Sequence, residues 1–220
     1  MRVVVLAPHP DDETLGAGGT IARHVAEGDE VHLIFMTETY PPLWQEGEKP
    51  KRQAEARAAS KALGAAGATF AGFPTMRLNT VPAIELAGYL IGRFRELSPE
   101  VVYAPPVGDV NQDHEAVFQA ALVACRSLPG NTVRRFLSYE IPPTARFANP
   151  IDAARWLPNV YVDITAHIDR KLAAMKRYPS ELRKPPHPRS LEGIRLYARE
   201  RGLTLGIEYA EAFCLIRELR

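Results

Sequence analysis

The sequence predicts an α/β fold, a doubly wound and mostly parallel sheet with an elaborated C-terminal segment. Three observations predict it. Short apolar runs rich in β-branched residues alternate with helix-length stretches up to about residue 138, the rhythm of strands joined by right-handed crossovers. Polar clusters follow the first and the fourth of these runs directly, where open α/β sheets gather their ligands. Beyond residue 140 the rhythm gives way to a proline-rich stretch and short elements.

Arg2 to Ala7 is apolar after its first residue and largely β-branched, which suits a strand buried on both faces. Leu15 to Glu27 reads as a helix whose early glycines, Gly16, Gly18 and Gly19, permit close approach to the sheet. Glu30 to Thr37 is a second strand. Glu38 to Pro50, with Pro41-Pro42 and Trp44, is a loop long enough to form a lid. Lys51 to Ala66 is an alanine-rich helix and Gly67 to Gly72 a short strand. Pro82 to Leu97 is a helix with Thr80 near its start, and Val101 to Ala104 a strand. Pro105 to Gln112 is a loop, Asp113 to Arg126 a helix, and Thr132 to Ser138 a strand. Ile141 to Pro158 is an irregular excursion holding four prolines. Val160 to Ile164 reads as a strand, and Thr165 caps a helix running to Tyr178. Pro185-Pro186-His187-Pro188 forbids a helix; Ser190 starts one that ends near Gly202, and Ala212 to Leu219 is a last strand. Short connections join this third to the rest, so residues 1–220 are expected to form one domain of Rossmann-like layout.

Composition narrows the function. A net charge of +1 argues against a nucleic-acid protein with a broad basic face. Cys125 and Cys214 lie far apart without a C-x-x-C, so neither a disulfide framework nor a cysteine zinc site is indicated. The N-terminus runs straight into a strand without a signal-peptide pattern. No apolar run approaches the ~18 residues of a membrane span. The expectation is a soluble cytoplasmic protein without a membrane partner.

The chemistry centres on Ala7-Pro8-His9-Pro10-Asp11-Asp12-Glu13. One imidazole and three carboxylates crowd together directly after a buried strand. Such acids repel one another, and a divalent cation among them is the simplest remedy. A mixed His and Asp set suits zinc or a similar transition ion better than calcium or magnesium. The bland alternative is a solvated acidic loop that caps the next helix. The second cluster, Gly108-Asp109-Val110-Asn111-Gln112-Asp113-His114, follows the fourth strand. At a switch point between the first and fourth strands the two clusters meet. His9, Asp12 and His114 are then the natural metal trio, leaving an open position as catalytic sites do. Asp11 is free to act as a base. Asn111 could donate to an oxyanion, and Asp113 could orient a neighbouring ligand. An ordinary turn residue and an ordinary helix-start acid are the competing readings of those two. Tyr139, Glu140, Arg77 and Trp44 stand near strand ends as further candidates for substrate contact.

The opening motif with Gly16 and Gly19, together with Asn111-x-Asp113-His114, resembles the LmbE-like family, also called the PIG-L family. Arg52 to Gly64 (Arg-x-x-Glu-x-x-x-Ala-x-x-x-Leu-Gly) is similar to the family's second helix, and Arg201-Gly202 with Ala210-Glu211-Ala212-Phe213 to its closing segment. The resemblance implies a zinc-dependent deacetylase of a small N-acetylated sugar or glycoside. His9, Asp12 and His114 would hold the metal, Asp11 would be the general base, and Arg52 would bind sugar hydroxyls. Pairing of Arg52 with Glu48 or Glu55 on a helix surface is the alternative. Assembly of identical chains is implied as well. One departure stands out. Many members have His-x-Asp-His in the second motif, and Asn111 takes the place of the first His. A neutral amide donates more weakly than an imidazolium. His187 could restore an imidazole if its loop folds over the site; a stiff surface turn is the favoured reading of Pro185 to Ser190.

Other classes remain on the page. Gly16-Ala17-Gly18-Gly19 hints at the dinucleotide-binding G-x-G-x-x-G, but Ile21 occupies the last position and three carboxylates would repel a pyrophosphate. A magnesium site for phosphoryl transfer fits poorly with His9 and His114. A non-catalytic sugar- or metal-binding protein is the alternative that Asn111 keeps open.

Overall fold

The computed structural model describes residues 1–142, 144 and 156–220. Most of the expected irregular excursion between residues 141 and 158 lies outside the described residues. In chain order the elements are β1 (Arg2–Ala7), α1 (Asp12–Ala26), β2 (Glu30–Glu38), α2 (Glu48–Leu63), β3 (Gly67–Pro74), α3 (Ala83–Leu97), β4 (Val101–Ala104), α4 (Gln112–Ala124), β5 (Arg135–Tyr139), β6 (Val160–Asp163), α5 (Ile168–Met175), α6 (Leu191–Leu203) and β7 (Ala210–Glu218). The strands form one seven-stranded sheet in the order β3-β2-β1-β4-β5-β7-β6. β1 to β5 pair in parallel, and β7 runs antiparallel to both β5 and β6. The doubly wound α/β expectation is met.

Alternation along β1 divides the core. Val3, Val5 and Ala7 face one apolar cluster with residues of α1, α2, α5 and α6. Val4 and Leu6 face another, built with α3 and α4. A strand covered on both faces has no polar side, which is why β1 reads as an unbroken apolar run. β1 lies between β2 and β4, so the chain reverses its winding direction there and the loops after β1 and β4 diverge around a crevice.

Several boundaries differ from the sequence expectation for local reasons. α1 starts at Asp12 rather than Leu15, because the Asp11 carbonyl already accepts the Leu15 N–H at 2.9 Å. Asp12 and Glu13 therefore occupy its first turn, where the helix dipole favours acids. α2 starts at Glu48 rather than Lys51; Pro50 is tolerated in a first turn, whose N–H groups have no intrahelical partner. β5 starts at Arg135 rather than Thr132, since the Asn131 side chain takes the Val133 N–H at 3.0 Å and holds a turn there. α5 ends at Met175, short of Tyr178.

The glycines of α1 form a packing face. A Cβ on Gly16 would stand 2.2 Å from a Tyr139 ring carbon and 2.7 Å from the Glu140 carbonyl oxygen. One on Gly19 would stand 2.8 Å from the Ile164 Cβ. This corrects the dinucleotide reading: Gly16 to Gly19 lie within a helix, against side chains and main chain, and cradle no phosphate. On the same stretch the Gly19 and Thr20 N–H groups donate to the Glu211 carboxylate at 2.9 and 2.7 Å. Lys171 donates to the Leu15 carbonyl at 2.8 Å and to Glu211 at 2.5 Å. This buried ion pair ties α1 to α5 and β7.

Gly16→Ala is expected to lower stability by about 1–3 kcal/mol through overpacking. Gly92→Ala, at an α3 position with nothing within 4 Å, is expected to raise it by up to about 1 kcal/mol. Paired urea denaturation curves check both signs.

Candidate metal centre and its pocket

The Ala7-to-Glu13 turn is held from beneath. The Pro8 carbonyl accepts from the Thr37 main-chain N–H at 3.0 Å and from its hydroxyl at 2.7 Å. Asp11 adopts φ 113°, a conformation that costs a non-glycine residue energy and persists only where neighbours enforce it. Glu13 is one enforcer, since it accepts the Asp11 N–H at 3.2 Å on Oε2. Glu13 is fully buried, and its other oxygen accepts from the Tyr178 and Thr14 hydroxyls at 2.8 and 2.5 Å. Burial pushes its carboxyl up to about 7, with both hydroxyls opposing.

β1 and β4 deliver the two polar clusters to one point. His9 Nδ1 lies 3.1 Å from Asp12 Oδ2 and 3.3 Å from His114 Nε2. His114 Nε2 lies 3.4 Å from the same Asp12 oxygen. Three ligand atoms thus form a nearly equilateral triangle. Ligands at the ~2.0–2.1 Å distance of a tetrahedral zinc ion stand roughly 3.3–3.4 Å apart, so the spacing fits an ion of that size. The far nitrogen of each ring rests on a carboxylate: His9 Nε2 on Asp113 at 2.9 Å, and His114 Nδ1 on Asp109 at 3.0 Å. Such partners fix the ring and turn its other lone pair toward a metal. Asp113 also accepts the Met76 and Leu78 N–H groups at 2.6 and 3.0 Å. Burial opposes the charged imidazoles, yet the facing carboxylates hold the pKa of His9 up at about 9 and that of His114 at about 10. Both shifts record the same negative potential that would attract a cation. A second group, His24, Glu27 and Asp29, also clusters. There both His24 nitrogens are engaged, by Asp29 at 2.7 Å and the Tyr103 hydroxyl at 2.9 Å.

Beside the triangle opens a cavity of about 230 Å³, and His9, Asp11, Asn111, Arg52, Glu181 and Arg189 are among its lining residues. The buried Asp11 Oδ2 has no hydrogen-bond partner among the described residues and lies 3.7 Å from Arg189. Burial pushes the Asp11 carboxyl well above the ordinary carboxylate range, and the Arg189 guanidinium opposes that shift. Asn111 caps α4, its side-chain oxygen accepting the Asp113 N–H at 3.0 Å. The residue also lines the cavity. Arg52 pairs with Glu181 through Nη1 and stands 3.4 Å from Glu48. Glu55, the other helix partner expected for Arg52, accepts instead from Ser180.

The further candidates separate. Trp44 lines the cavity. Tyr139 is fully buried and donates to the Leu6 carbonyl at 2.6 Å, so it is a core residue. Glu140 pairs with Arg201 at 2.6 Å, and Arg77 lies over the Tyr40 ring. His187 takes the surface-turn alternative rather than entering the site: it is exposed, and its Nδ1 accepts the Arg189 N–H at 3.0 Å. The proline-rich segment does reach the cavity, but the side chain it presents is Arg189. Sequence reasoning missed Asp109, Tyr178, Glu181 and Arg189. Only Asp109 carried a local signal, as an acid in the same loop five positions before His114.

Residues 4–125 match the family described as PIG-L, GlcNAc-PI de-N-acetylase. The chain is 26% identical to the 1D-myo-inositol 2-acetamido-2-deoxy-alpha-D-glucopyranoside deacetylase of Mycolicibacterium smegmatis, over 86% of this chain and 83% of that protein. It is 28% identical to the 4-oxalmesaconate hydratase of Pseudomonas putida, over 79% of this chain and 71% of that one. Among solved structures, the conserved protein TT1542 from Thermus thermophilus superposes with a TM-score of 0.78 at 32% identity, covering 99% of this chain and 96% of the other. The fold, the two motifs at the β1 and β4 ends and the extent of the match agree, and the chain belongs to the PIG-L family.

Proposed function

We propose that this chain is a zinc-dependent hydrolase that removes the acetyl group from a small N-acetylated sugar or glycoside, with all 220 residues acting as one deacetylase domain. The observation that carries the reading is the triangle of His9 Nδ1, Asp12 Oδ2 and His114 Nε2, with His9 on the cavity wall and the two rings braced by Asp113 and Asp109. These three residues would hold the ion. When bound, it would polarise the amide carbonyl and lower the pKa of an attacking water. Asp11 takes the proton from that water and passes it to the departing amine. Asn111 donates its amide to the developing oxyanion. Arg52 hydrogen-bonds the sugar hydroxyls, and Asp113 keeps His9 in the tautomer that faces the ion. The GlcNAc-PI de-N-acetylase family and the deacetylase relative support an N-acetylated sugar as the substrate class. No described helix is long and apolar enough to cross a membrane, which favours a substrate that is not lipid-embedded.

A second reading follows from the hydratase relative. The same residues could activate water for addition to a carbon–carbon double bond, a reaction that releases no acetate.

Metal analysis tests the first step. About one zinc per chain is expected in wild type and little in His114→Ala or Asp12→Ala. Acetate release from N-acetylglucosamine derivatives should fall about 10²–10⁴-fold in Asp11→Asn, with metal retained. Zinc uptake without acetate release from any N-acetyl sugar would transfer the case to the hydratase reading.

The raised imidazoles give a pH dependence with a definite sign. In metal-free protein His9 and His114 hold protons to about pH 9 and 10, above the ordinary 6.5. The stabilisation they confer is complete below pH 6.5 and is lost as pH rises through their folded pKa values. Urea midpoints of chelator-treated protein should therefore fall between pH 6.5 and 10. Zinc-loaded protein should lose much less over the same range, because the ion replaces the protons.

A further inference from the structure

We propose that the cavity selects an uncharged, polyhydroxylated substrate, and that Glu181 sets this selection by neutralising the two guanidiniums that face it. The inference deepens the deacetylase reading and rests on it for the place of the scissile amide. Arg52 reaches the cavity from α2, and Arg189 from the segment before α6. Both end on one carboxylate. Arg52 Nη1 donates to Glu181 Oε1, and Arg189 Nη1 donates to Oε2 at 2.8 Å. The third cation of the lining, Lys49, sits on Glu38 at 2.5 Å. Asp11 faces Arg189 at 3.7 Å. Among the described residues, Asp11, Glu38 and Glu181 thus stand against Lys49, Arg52 and Arg189, and each of these three bases has an acid beside it.

A guanidinium carries five N–H donors, so a salt-bridged arginine still has hydrogen bonds to offer a neutral acceptor such as a ring hydroxyl. It offers little net field. An incoming phosphate or carboxylate finds the cations neutralised and three carboxylates nearby, a repulsion that a hydroxyl does not meet.

Glu181 is a positioning residue, and the fold holds it in place. Its neighbour Ser180 donates to Glu55, one helical turn from Arg52 on the same face of α2. Adjacent residues of the 176–183 turn therefore grip positions i and i+3 of that helix. On the other side, the Arg189 main chain is fixed by His187.

Calorimetric titration of zinc-loaded wild type, Glu181→Gln and Glu181→Asp with N-acetylglucosamine and with its 6-phosphate tests the proposal. Wild type is expected to bind the neutral sugar at least tenfold more tightly. Glu181→Gln leaves two guanidiniums on a neutral amide, and the ratio of the two dissociation constants is expected to move at least tenfold toward the phosphate. Glu181→Asp keeps the charge and is expected to keep the neutral preference. Attachment of phosphate to the metal is common to all three proteins and cancels in the comparison. A merely structural Glu181 would weaken both sugars alike. Wild type that prefers the phosphate or binds neither sugar overturns the proposal, as does a Gln variant whose ratio is unchanged or that loses both sugars together. Acetate release, followed separately, judges the chemistry. Neutral preference without release leaves the selectivity standing and removes the deacetylase reading; release without neutral preference does the reverse.

Discussion

Five carboxylates lie buried within one small volume at the carboxyl ends of β1 and β4, and the surrounding structure depends on neutralising them. Asp11, Asp12, Glu13 and Asp113 are each at most 2% exposed, and the Asp109 side chain is fully covered. A carboxylate removed from water without a partner costs several kcal/mol. Each of these acids has met a different answer. Asp12 faces two imidazoles. Asp109 and Asp113 each take the far nitrogen of one of those rings. Glu13 has two hydroxyls, and Asp11 has a guanidinium at a distance. The partners come from α1, α4, the turn after α5 and the segment before α6, so the acids dictate where distant parts of the chain must arrive.

That demand explains features that local propensity does not. Tyr178 sits past the end of α5 because its hydroxyl answers Glu13 from below, while Glu181, three residues on, turns outward to the cavity. The glycine face of α1 lets Tyr139 and Ile164 approach closely, which brings α1 down onto the sheet. Lys171 and Glu211 lock it there by entering the helix's own hydrogen bonding at Leu15, Gly19 and Thr20. The first turn of α1, with Asp12 and Glu13, is thereby fixed to β7 as firmly as to β1.

The sheet was legible because buried parallel strands leave a simple trace. Val3 to Ala7 and Val101 to Ala104 are continuous apolar runs, and each ends in a polar cluster. Their adjacency followed from the winding rule alone, and with it the meeting of His9, Asp12 and His114. Helix starts were less legible, since Asp12 begins a helix through the strained main chain of Asp11, which composition does not reveal. The cavity wall was not legible. Glu181 and Arg189 lie in turns without periodicity, and Arg52 meets Glu181 across 129 residues of chain. The Pro185-to-Ser190 segment could be read as a stiff surface turn or as a loop over the site; its turn points His187 outward, as the first reading requires, and Arg189 inward, which the sequence did not signal. Asp109 was quoted without a role, because its link to His114 depends on how the loop doubles back.

The chain thus divides its labour along its length. The triangle, its two bracing carboxylates, Asp11 and Asn111 all lie within the first 114 residues, whereas Glu181 and Arg189 come from the last 40. The late segment meets the early one through the buried Tyr178 hydroxyl on Glu13, the Lys171 and Glu211 contacts with α1, and the Arg52–Glu181–Arg189 ion pairs of the cavity wall. On the proposed reading, substitution of Glu181 reshapes what the cavity admits, whereas Tyr178 and Arg189 reach Glu13 and Asp11 and bear on the chemistry as well. On the same reading this is modularity: the residues that would hold the metal and two of those that would admit the substrate come from separate stretches of chain. In a laboratory setting, Glu181 and the turn leading to Arg189, with Tyr178 left in place, are accordingly where a library aimed at new substrates belongs.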